Sequence, residues 1–252
     1  MCEFKRRGYD ILCFDSDCDI SDITNEIRCG VTLIHQGAIS DTQYEDSSGL
    51  MFNNYEVSKI LFDAAYDSGC NVIYASSAAS YGHSGVPSNI YGWSKYCAEQ
   101  YGIALYGGCG CDSSFVALRY FNVFGSGESH KKNMSSIAYR AMRDGRMTLF
   151  PGKPKRDFIY IKDVIDANLH AMNKNDISTG YYDVGSGSSH SFEEVCNILG
   201  VEYDYCHESV IPEGYQFITK SSKDKWMPGW NPKYSLRAAL LEYKKEFQKN
   251  GK

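Results

Sequence analysis

Short apolar runs alternate with segments of helical periodicity through the first half of the chain, and this alternation restricts the fold more than any other feature. The helical segments carry apolar residues on one face, as at 53–68, where Val57, Ile60, Leu61, Ala64 and Ala65 recur and Gly69 follows. Strands alternating with helices predict the α/β class, with a parallel sheet covered on both faces. The predicted strands are 8–15, 31–35, 71–77 and 114–121, and the predicted helices are 19–27, 53–68 and 91–106.

Length and composition exclude several classes of protein. A chain of 252 residues holds one large domain or two small ones that share a core. The net charge of −5 gives no basic footprint for nucleic acid. No apolar run approaches the ~18 residues of a membrane span, and the first residues lack the apolar stretch of a secretion signal, so we expect a cytoplasmic protein with no membrane partner. The ten cysteines are scattered without zinc spacing, which predicts reduced thiols and no metal site.

A Tyr-x-x-x-Lys pair, Tyr91 and Lys95, opens one predicted helix just after a strand that ends in Ser76-Ser77. Residues four apart share a helix face, and an ammonium beside a phenol favours the phenolate. We therefore expect Lys95 to lower the pKa of Tyr91, with Ser77 binding the same substrate oxygen. Such a phenol can move a proton to or from an alcohol while a nicotinamide carries the hydride. The alternative is an ordinary amphipathic helix with an exposed lysine.

After Phe121 the pattern of the sequence changes, and the second half of the chain predicts a smaller α/β domain. We expect residues 1–122 with about 156–184 to form one domain, and about 123–155 with 185–252 to form the other. Ligands on parallel sheets bind beyond the carboxyl ends of the strands, where Ser40, Ser77 and Asn122 fall. The predicted elements are a polar loop at 122–133, helices at 134–143, 163–172 (capped by Asp163), 192–199 (opened by a capping box at Ser191) and 235–247, and strands at 147–150, 156–161 and 181–185.

With these residues identified, the chain resembles the extended short-chain dehydrogenase/reductase family of nucleotide-sugar epimerases and dehydratases, from about His35 to Tyr243. Two further segments, His130-Lys131 and Gly214-Tyr215-Gln216, are similar to the heptose-nucleotide epimerases within it. The segments that mark the whole extended family are Tyr74-Ala75-Ser76-Ser77, Tyr91-Gly92-Trp93-Ser94-Lys95 and Arg156-Asp157-Phe158. The likeness also includes His35-Gln36-Gly37-Ala38 and Arg119-Tyr120-Phe121-Asn122.

This resemblance implies an NADP-dependent epimerase, with NAD as the alternative, that acts at C6 of an ADP-linked heptose and forms a homo-oligomer. It implies a Rossmann-like sheet and a smaller substrate-binding domain. Tyr91 and Lys131 would be the two acid/base groups, Lys95 would hold the nicotinamide ribose, and Ser77 would bind the reacting oxygen. The implied cofactor contacts are Asp15, Ser16, Gln36, Gly37, Ala38, Ile39, Ser40, Asn54, Tyr91, Lys95, Val123 and Lys131. The implied substrate contacts are Ser77, Asn122, Asn133, Arg140, Phe150, Pro151, Gly152, Lys153, Arg156 (on the diphosphate) and Tyr215.

Several of these residues also have a plain structural reading. Lys131 can be a solvated loop charge, Asn122 a turn residue, and residues 36–40 only a tight turn. Arg156 can pair with Asp157 or Asp163 instead of a ligand. Asn133 and Arg140 depart from the family, which has Ser and His there, and this bears on the identity of the sugar.

The front of the chain departs furthest, because the sequence contains no G-x-x-G-x-x-G turn to bind a pyrophosphate. We expect Asp15-Ser16 to end the family's second strand, and we expect a truncated gene model, a natural fragment or a shortened enzyme. Two rival functions remain. One is an enzyme on another nucleotide sugar, although Ala78-Ala79 after Ser77 disfavours a dehydratase; the other is a non-catalytic protein that binds a nucleotide sugar or a partner.

Overall fold

The structure, a computed structural model, describes residues 2–15, 17–42, 44–82, 85–108, 112–173, 176–211 and 215–250. Its strands are β1 (Thr32–His35), β2 (Asn71–Ser77), β3 (Phe115–Tyr120), β4 (Asn122–Phe124), β5 (Arg146–Leu149), β6 (Lys155–Tyr160), β7 (Gly180–Val184), β8 (Ser189–Ser191) and β9 (Glu202–Tyr205). Its α-helices are α1 (Cys2–Arg6), α2 (Ile20–Glu26), α3 (Ser47–Met51), α4 (Val57–Asp67), α5 (Ile90–Gly107), α6 (Ile137–Asp144), α7 (Ile161–Asn173), α8 (Phe192–Leu199) and α9 (Leu236–Asn250).

The main sheet is parallel and has the order β1-β2-β3-β7. In β2, Val72 and Tyr74 pack on the side of α4 and α5, while Ile73 between them packs on the side of α7. This alternation of buried residues is the pattern of a sheet covered on both faces. The α/β class predicted from the sequence is therefore confirmed.

Helix α5 packs directly on the sheet because a glycine, Gly102, lies on the helix face that meets β3. A Cβ atom at Gly102 would lie 2.2 Å from the Phe115 ring, so any larger residue would push the helix off β3. Phe115 is fully buried and its ring meets those of Phe62 and Tyr74. These contacts fix the position of α5, the helix that carries Tyr91 and Lys95.

The second core belongs to smaller sheets and the C-terminal helices. Strand β4 pairs in parallel with β6, which pairs antiparallel with β8, and β5 pairs with β9. Residues of α6, α8 and α9 pack on these strands around the buried Phe124, Phe158 and Leu240. Capping of α8 by Ser191 is confirmed, since its hydroxyl accepts a hydrogen bond from Glu194 N.

The strand predicted at 8–15 is absent, and this part of the prediction is wrong. Residues 9–15 follow α1 as irregular chain in which Leu12, Phe14 and Asp15 are exposed. A strand needs a neighbour to pair its backbone groups, and within the described chain β1 is itself the edge of the main sheet. Helix α2 and strand β1 follow as predicted.

Three other predictions need correction. The loop predicted at 122–133 contains β4 and a 3-10 turn at Ser129–Met134, elements too short to show periodicity. Asp163 lies inside the first turn of α7 and accepts hydrogen bonds from Lys233 N and Tyr234 N instead of capping the helix. Ile60 was predicted to lie on the apolar face of its helix, but in α4 it is exposed, whereas Phe62 is buried. None of the described helices is long and apolar enough to cross a membrane.

Candidate active site

The candidate site lies at the carboxyl ends of the parallel strands. Ser77 is the last residue of β2, residues 36–40 follow β1, and Asn122 lies just beyond β3. Parallel neighbours end at the same edge of a sheet, so these polar residues share one side of the molecule. The sequence predicted this convergence from three separate strands.

The start of α5 brings Tyr91 to Ser77. Asn89 caps α5, and its side-chain oxygen accepts a hydrogen bond from Gly92 N at 2.8 Å. A Cβ atom at Gly92 would lie 2.6 Å from the Ala79 carbonyl oxygen, so glycine is required for this close approach to the residues after Ser77. The Ser77 hydroxyl lies near enough to the Tyr91 phenol to lower its pKa. The two side chains predicted to act on one substrate oxygen are therefore neighbours.

Lys95 lies one turn further along α5, inside the protein. Its side chain is 2% exposed, and Nζ lies 4.5 Å from the centroid of the Tyr74 ring. Burial lowers the pKa of Lys95 to about 7, while the carboxylate of Glu99 acts in the opposite direction. The ammonium is thus close to its titration point at neutral pH, unlike an exposed lysine. This rules out the alternative of an ordinary solvent-exposed lysine.

The prediction that the Tyr91 pKa is lowered is wrong. Burial raises the pKa of Tyr91, and the Ser77 hydroxyl offsets this only in part. Desolvation disfavours the phenolate more strongly than Ser77 favours it. Tyr91 is consequently a neutral phenol at neutral pH, able first to donate a proton.

The segment at 36–40 is held from beneath by Asn54, which lies in a π-helical stretch, Phe52–Glu56, between α3 and α4. The Asn54 amide accepts from Ile39 N at 2.8 Å and donates to Ile39 O at 2.9 Å and to Ser94 Oγ at 3.1 Å. Asn54 is fully buried, so its side chain acts on the backbone of this segment. Gly37 and Ala38 remain exposed.

Gln36 reaches across the sheet edge in the other direction. Its amide Nε2 donates to Tyr120 Oη and to Asn168 Oδ1, each at 3.1 Å. These partners lie on β3 and α7, so the segment after β1 is tied to the centre of the sheet. Asp15 is exposed in the irregular chain before α2, and Ser16 lies outside the described residues. The structure therefore does not place Asp15 at a strand end.

Arg156 on β6 is half-buried among aromatic rings. Its guanidinium carbon lies 5.0 Å from the Tyr215 ring centroid, and Nη1 donates to Lys155 O at 2.9 Å. The alternative that Arg156 pairs with Asp157 or Asp163 is wrong. Asp157 binds the 186–187 turn and Ser221, while Asp163 binds backbone groups before α9. Within the described chain Arg156 has no carboxylate partner, which leaves its charge for an anion.

Tyr215 belongs to an aromatic group beside Arg156. Its ring meets those of Phe150 at 5.1 Å and Phe217 at 5.3 Å, both edge to face. The turn after Phe150 runs through Pro151, Gly152 and Lys153, with positive φ at the last two. Gln216 Nε2 donates to Gly82 O at 3.4 Å, which connects this group to the loop after Ser77. Gly214 lies outside the described residues.

The remaining predicted residues line the start of the second core. Asn122 is exposed and Val123 half-buried in β4, and Lys131 is exposed in the 3-10 turn. Glu128 anchors this turn, because its carboxylate accepts from Ser136 N at 2.6 Å and from Tyr243 Oη at 3.1 Å. Asn133 lies in the same turn, and the structure does not describe its side chain. The Nε of Arg140 on α6 is buried, without a hydrogen-bond partner among the described residues.

Sequence reasoning missed a buried charge cluster behind Lys95. Glu99 is fully buried, and Arg119 binds it from β3 with Nε 2.8 Å from Oε2. The Arg119 guanidinium stacks on Tyr81 and Tyr181, and the Tyr81 hydroxyl donates to Asp183 at 2.6 Å. Glu99 follows Lys95 by one helical turn, so the sequence contained a signal that these two charged residues are neighbours.

Two further observations concern metal binding and the position of a cavity. No group of His, Cys, Asp and Glu able to hold a metal ion occurs among the described residues. A cavity of about 650 Å³ lies away from the candidate site, between the N-terminal residues, α7 and α9. Its lining is mixed in charge, with Arg7 and Lys162 facing Asp166 and Glu246.

A comparison with protein families gives one match. The family model described as NAD dependent epimerase/dehydratase family matches residues 3–185. The match covers β1, β2, α5 and β3, and thus every residue of the Ser77, Tyr91 and Lys95 group.

Two relatives and one solved structure are similar to most of the chain. The ADP-L-glycero-D-manno-heptose-6-epimerase of Brachyspira hyodysenteriae is 35% identical over 68% of this chain, and that of Thiobacillus denitrificans is 33% identical over 71%. The chain matches 58% and 63% of their lengths, so it spans about three fifths of these relatives. The crystal structure of Helicobacter pylori ADP-L-glycero-D-manno-heptose-6-epimerase has a TM-score of 0.77 and 28% identity, covering 97% of this chain and 82% of that one.

Proposed function

Because the chain belongs to the NAD dependent epimerase/dehydratase family, we propose that it is a nucleotide-sugar epimerase that interconverts ADP-D-glycero-D-manno-heptose and ADP-L-glycero-D-manno-heptose. The observation that carries the proposal is the placement of Tyr91, at the start of α5, beside Ser77 and the buried Lys95. The names of the two relatives and of the Helicobacter pylori structure support the choice of an ADP-heptose.

The residues present fit the nicotinamide half of a dinucleotide. A buried lysine at the carboxyl end of the sheet, with its ammonium over Tyr74, suits a ribose hydroxyl, and the exposed backbone of 36–38 suits the adjoining groups. Such a cofactor, when bound, accepts hydride from the sugar carbon and returns it. We propose NADP, with NAD as the alternative, held by Lys95, Gln36 to Ser40 and Val123.

The roles proposed for the protein's own groups follow from their protonation. Tyr91, a neutral phenol, donates its proton to the C6 oxygen when the ketone is reduced, and Ser77 orients that oxygen. Lys131 is the second proton-transfer group, for the opposite presentation of the carbonyl, and takes up the proton that the C6 hydroxyl loses when it is oxidised. Glu128 supports this role because it fixes the backbone of the turn on which Lys131 lies.

For the substrate we propose that Arg156 binds the diphosphate. Its guanidinium lacks a carboxylate partner in the described chain and is oriented by Tyr215 and by backbone carbonyls, so two oxygens can be bound in one plane. Asn122 and Arg140 face the sugar in this proposal, and Phe150 and Tyr215 cover the nucleotide.

We also propose that the 252-residue chain has impaired activity. Its sequence lacks the G-x-x-G-x-x-G turn whose backbone amides bind a pyrophosphate, and the site described above offers no replacement for those donors. The division proposed for the protein is a dinucleotide-binding part, 1–122 with about 156–184, and a substrate-binding part. A homo-oligomer is proposed as well, to be checked by light scattering.

The experiment that tests the function is conversion of ADP-D-glycero-D-manno-heptose in the presence of added NADP or NAD, followed by NMR of the sugar protons. Appearance of the L-glycero epimer in the wild-type protein, absent in Tyr91→Phe, supports the proposal. Conversion of a UDP-hexose at C4 instead would assign the protein to another nucleotide sugar. Binding of ADP-heptose with no conversion and no nicotinamide bound by calorimetry would identify a non-catalytic protein.

A further inference from the structure

Three buried charged residues lie together behind the proposed catalytic group. Lys95 and Glu99 lie one turn apart on α5, and Arg119 lies on β3. Their exposed fractions are 2%, 0% and 3%. Since isolated charges are costly to bury, three of them in one place require a physical reason.

The Glu99 carboxylate is fixed by donors from both neighbouring strands. Oε2 accepts from Ser76 Oγ at 2.7 Å and from Arg119 Nε at 2.8 Å, and Oε1 accepts from Gln100 Nε2 at 3.1 Å. Arg119 also binds Oε1 through Nη2, so the pair is bidentate. Ser76 and Arg119 face each other in the parallel register of β2 and β3. This arrangement fixes the carboxylate in place.

The surroundings of Lys95 contain few other charges. From β1, His35 is held neutral, because burial and the charge of Lys95 lower its pKa to about 3. From β2, the Tyr74 ring faces the ammonium, and on α5 itself Tyr91 is a neutral phenol. Arg119 lies beyond Glu99 and is neutralised by it. Among the groups that face Lys95, Glu99 is thus the one whose charge favours the ammonium form.

We propose that Glu99, held by Ser76 and Arg119, is a positioning residue that keeps Lys95 protonated at neutral pH. The charged form of Lys95 is the one that can donate three hydrogen bonds to a ribose and keep the site positive. Its use in catalysis rests on the proposed function, but its titration is a property of the protein alone. The inference explains why the salt bridge between Glu99 and Arg119, and not a pair of apolar side chains, is buried directly behind the site.

The test is an NMR titration of lysine side chains in the protein without ligands. Protein labelled with [13C]lysine is titrated from about pH 6 to 10, and the Lys95 signal is assigned by its loss in Lys95→Met. We expect Glu99→Gln to lower the titration midpoint of Lys95 by at least about one pH unit, a tenfold loss of proton affinity. Ser76→Ala, which removes one hydrogen bond and no charge, is the matched control and should shift the midpoint much less.

Glu99→Gln leaves the buried Arg119 without its partner, and this variant can fail to fold. The double variant Glu99→Gln, Arg119→Gln removes both charges, and in it the Lys95 midpoint should still fall. An unchanged midpoint in whichever of these variants folds overturns the inference. The result is independent of epimerase activity: a shifted midpoint in a protein without activity leaves this inference intact and refutes only the proposed function. Where activity is present, its decline at alkaline pH should move with the Lys95 midpoint.

Discussion

Tyr91 is the residue on which the proposed chemistry depends most directly. It is half-buried, lies beside Ser77 and is protonated at neutral pH. We expect Tyr91→Phe to leave the affinity for ADP-heptose nearly unchanged while turnover falls by roughly 10²–10⁴, the usual contribution of one placed acid/base group. Steady-state kinetics and calorimetry on the same preparation measure both quantities. Loss of affinity together with turnover would show that Tyr91 supports the fold.

Arg156 is expected to bind the diphosphate and not the sugar. Arg156→Ala should weaken ADP and ADP-heptose equally, by about 1.5–3 kcal/mol for hydrogen bonds to a charged group. Lys155→Ala, at the exposed neighbouring position, is the control and should change the affinity little. Unchanged ADP affinity in Arg156→Ala, combined with a lower melting temperature, would contradict the assignment.

His35 gives the stability of the protein a pH dependence in the acid range. Its pKa falls to about 3 in the folded protein, against 6.5 unfolded, because burial and Lys95 disfavour the imidazolium. The unfolded state therefore binds more protons, and the stabilisation present above pH 6.5 is lost as the pH falls toward 3. Lys95, whose pKa is lowered to about 7 from 10.5, makes stability change with pH only between about pH 7 and 10.5.

We therefore expect the free energy of unfolding to fall between pH 6.5 and 4, by up to about 1.4 kcal/mol per pH unit from His35. Urea denaturation at several pH values measures this slope. In His35→Gln, which can still donate to Ser58, the slope should be smaller. Equal slopes in the two proteins would assign the effect to carboxylates.

At the residue scale, spacing was enough to identify Ser77, Tyr91 and Lys95 as a group. It was not enough to give the direction of the Tyr91 pKa, because burial is a property of the folded packing. The same limit hid the contact between Glu99 and Arg119, because Glu99 lies on α5, Arg119 lies on β3, and the two meet only where the helix packs on the sheet.

At the scale of elements, the segment after β1 depends on Asn54 in the neighbouring helix. Asn54→Ala removes both hydrogen bonds to Ile39, and we expect a loss of about 1–3 kcal/mol in stability together with faster hydrogen exchange at 36–41. Asn53→Ala is the matched control, because Asn53 is exposed and bonds only within its helix. Equal exchange in both variants would show that another contact holds the segment.

Elements of seven or more residues were predicted well, and very short ones were not. The strand predicted at 71–77 and the helix at 91–106 agree closely with β2 and α5. Strands β4 and β8 have three residues each, which is too few to show alternation. The strand predicted at 8–15 had suitable residues, but a strand also requires a neighbour, and local sequence carries no information about that.

At the scale of the whole molecule, the edge of the main sheet bears on the proposed cofactor binding. Strand β1 is the outermost strand of the main sheet among the described residues, and no G-x-x-G-x-x-G turn occurs in the sequence. We expect the 252-residue chain to bind NADP at least tenfold more weakly than an intact homologue, a difference of about 1.4 kcal/mol or more. Adding a homologous strand and Gly-rich turn ahead of the chain should strengthen binding. Fluorescence titration with NADPH measures both proteins, and tight binding by the unmodified chain would contradict the expectation.

The strand order of the main sheet also has a consequence for synthesis on the ribosome. β1, β2 and β3 are neighbours in the sequence as well as in the sheet, but β7, the other neighbour of β3, begins only at Gly180. A nascent chain that has just released β3 therefore carries an open, apolar strand edge until the rest of the chain emerges. Such edges pair with other strands, so we expect chaperones to shield β3 during translation. Cross-linking of chaperones to chains stalled between 121 and 179 would detect this dependence.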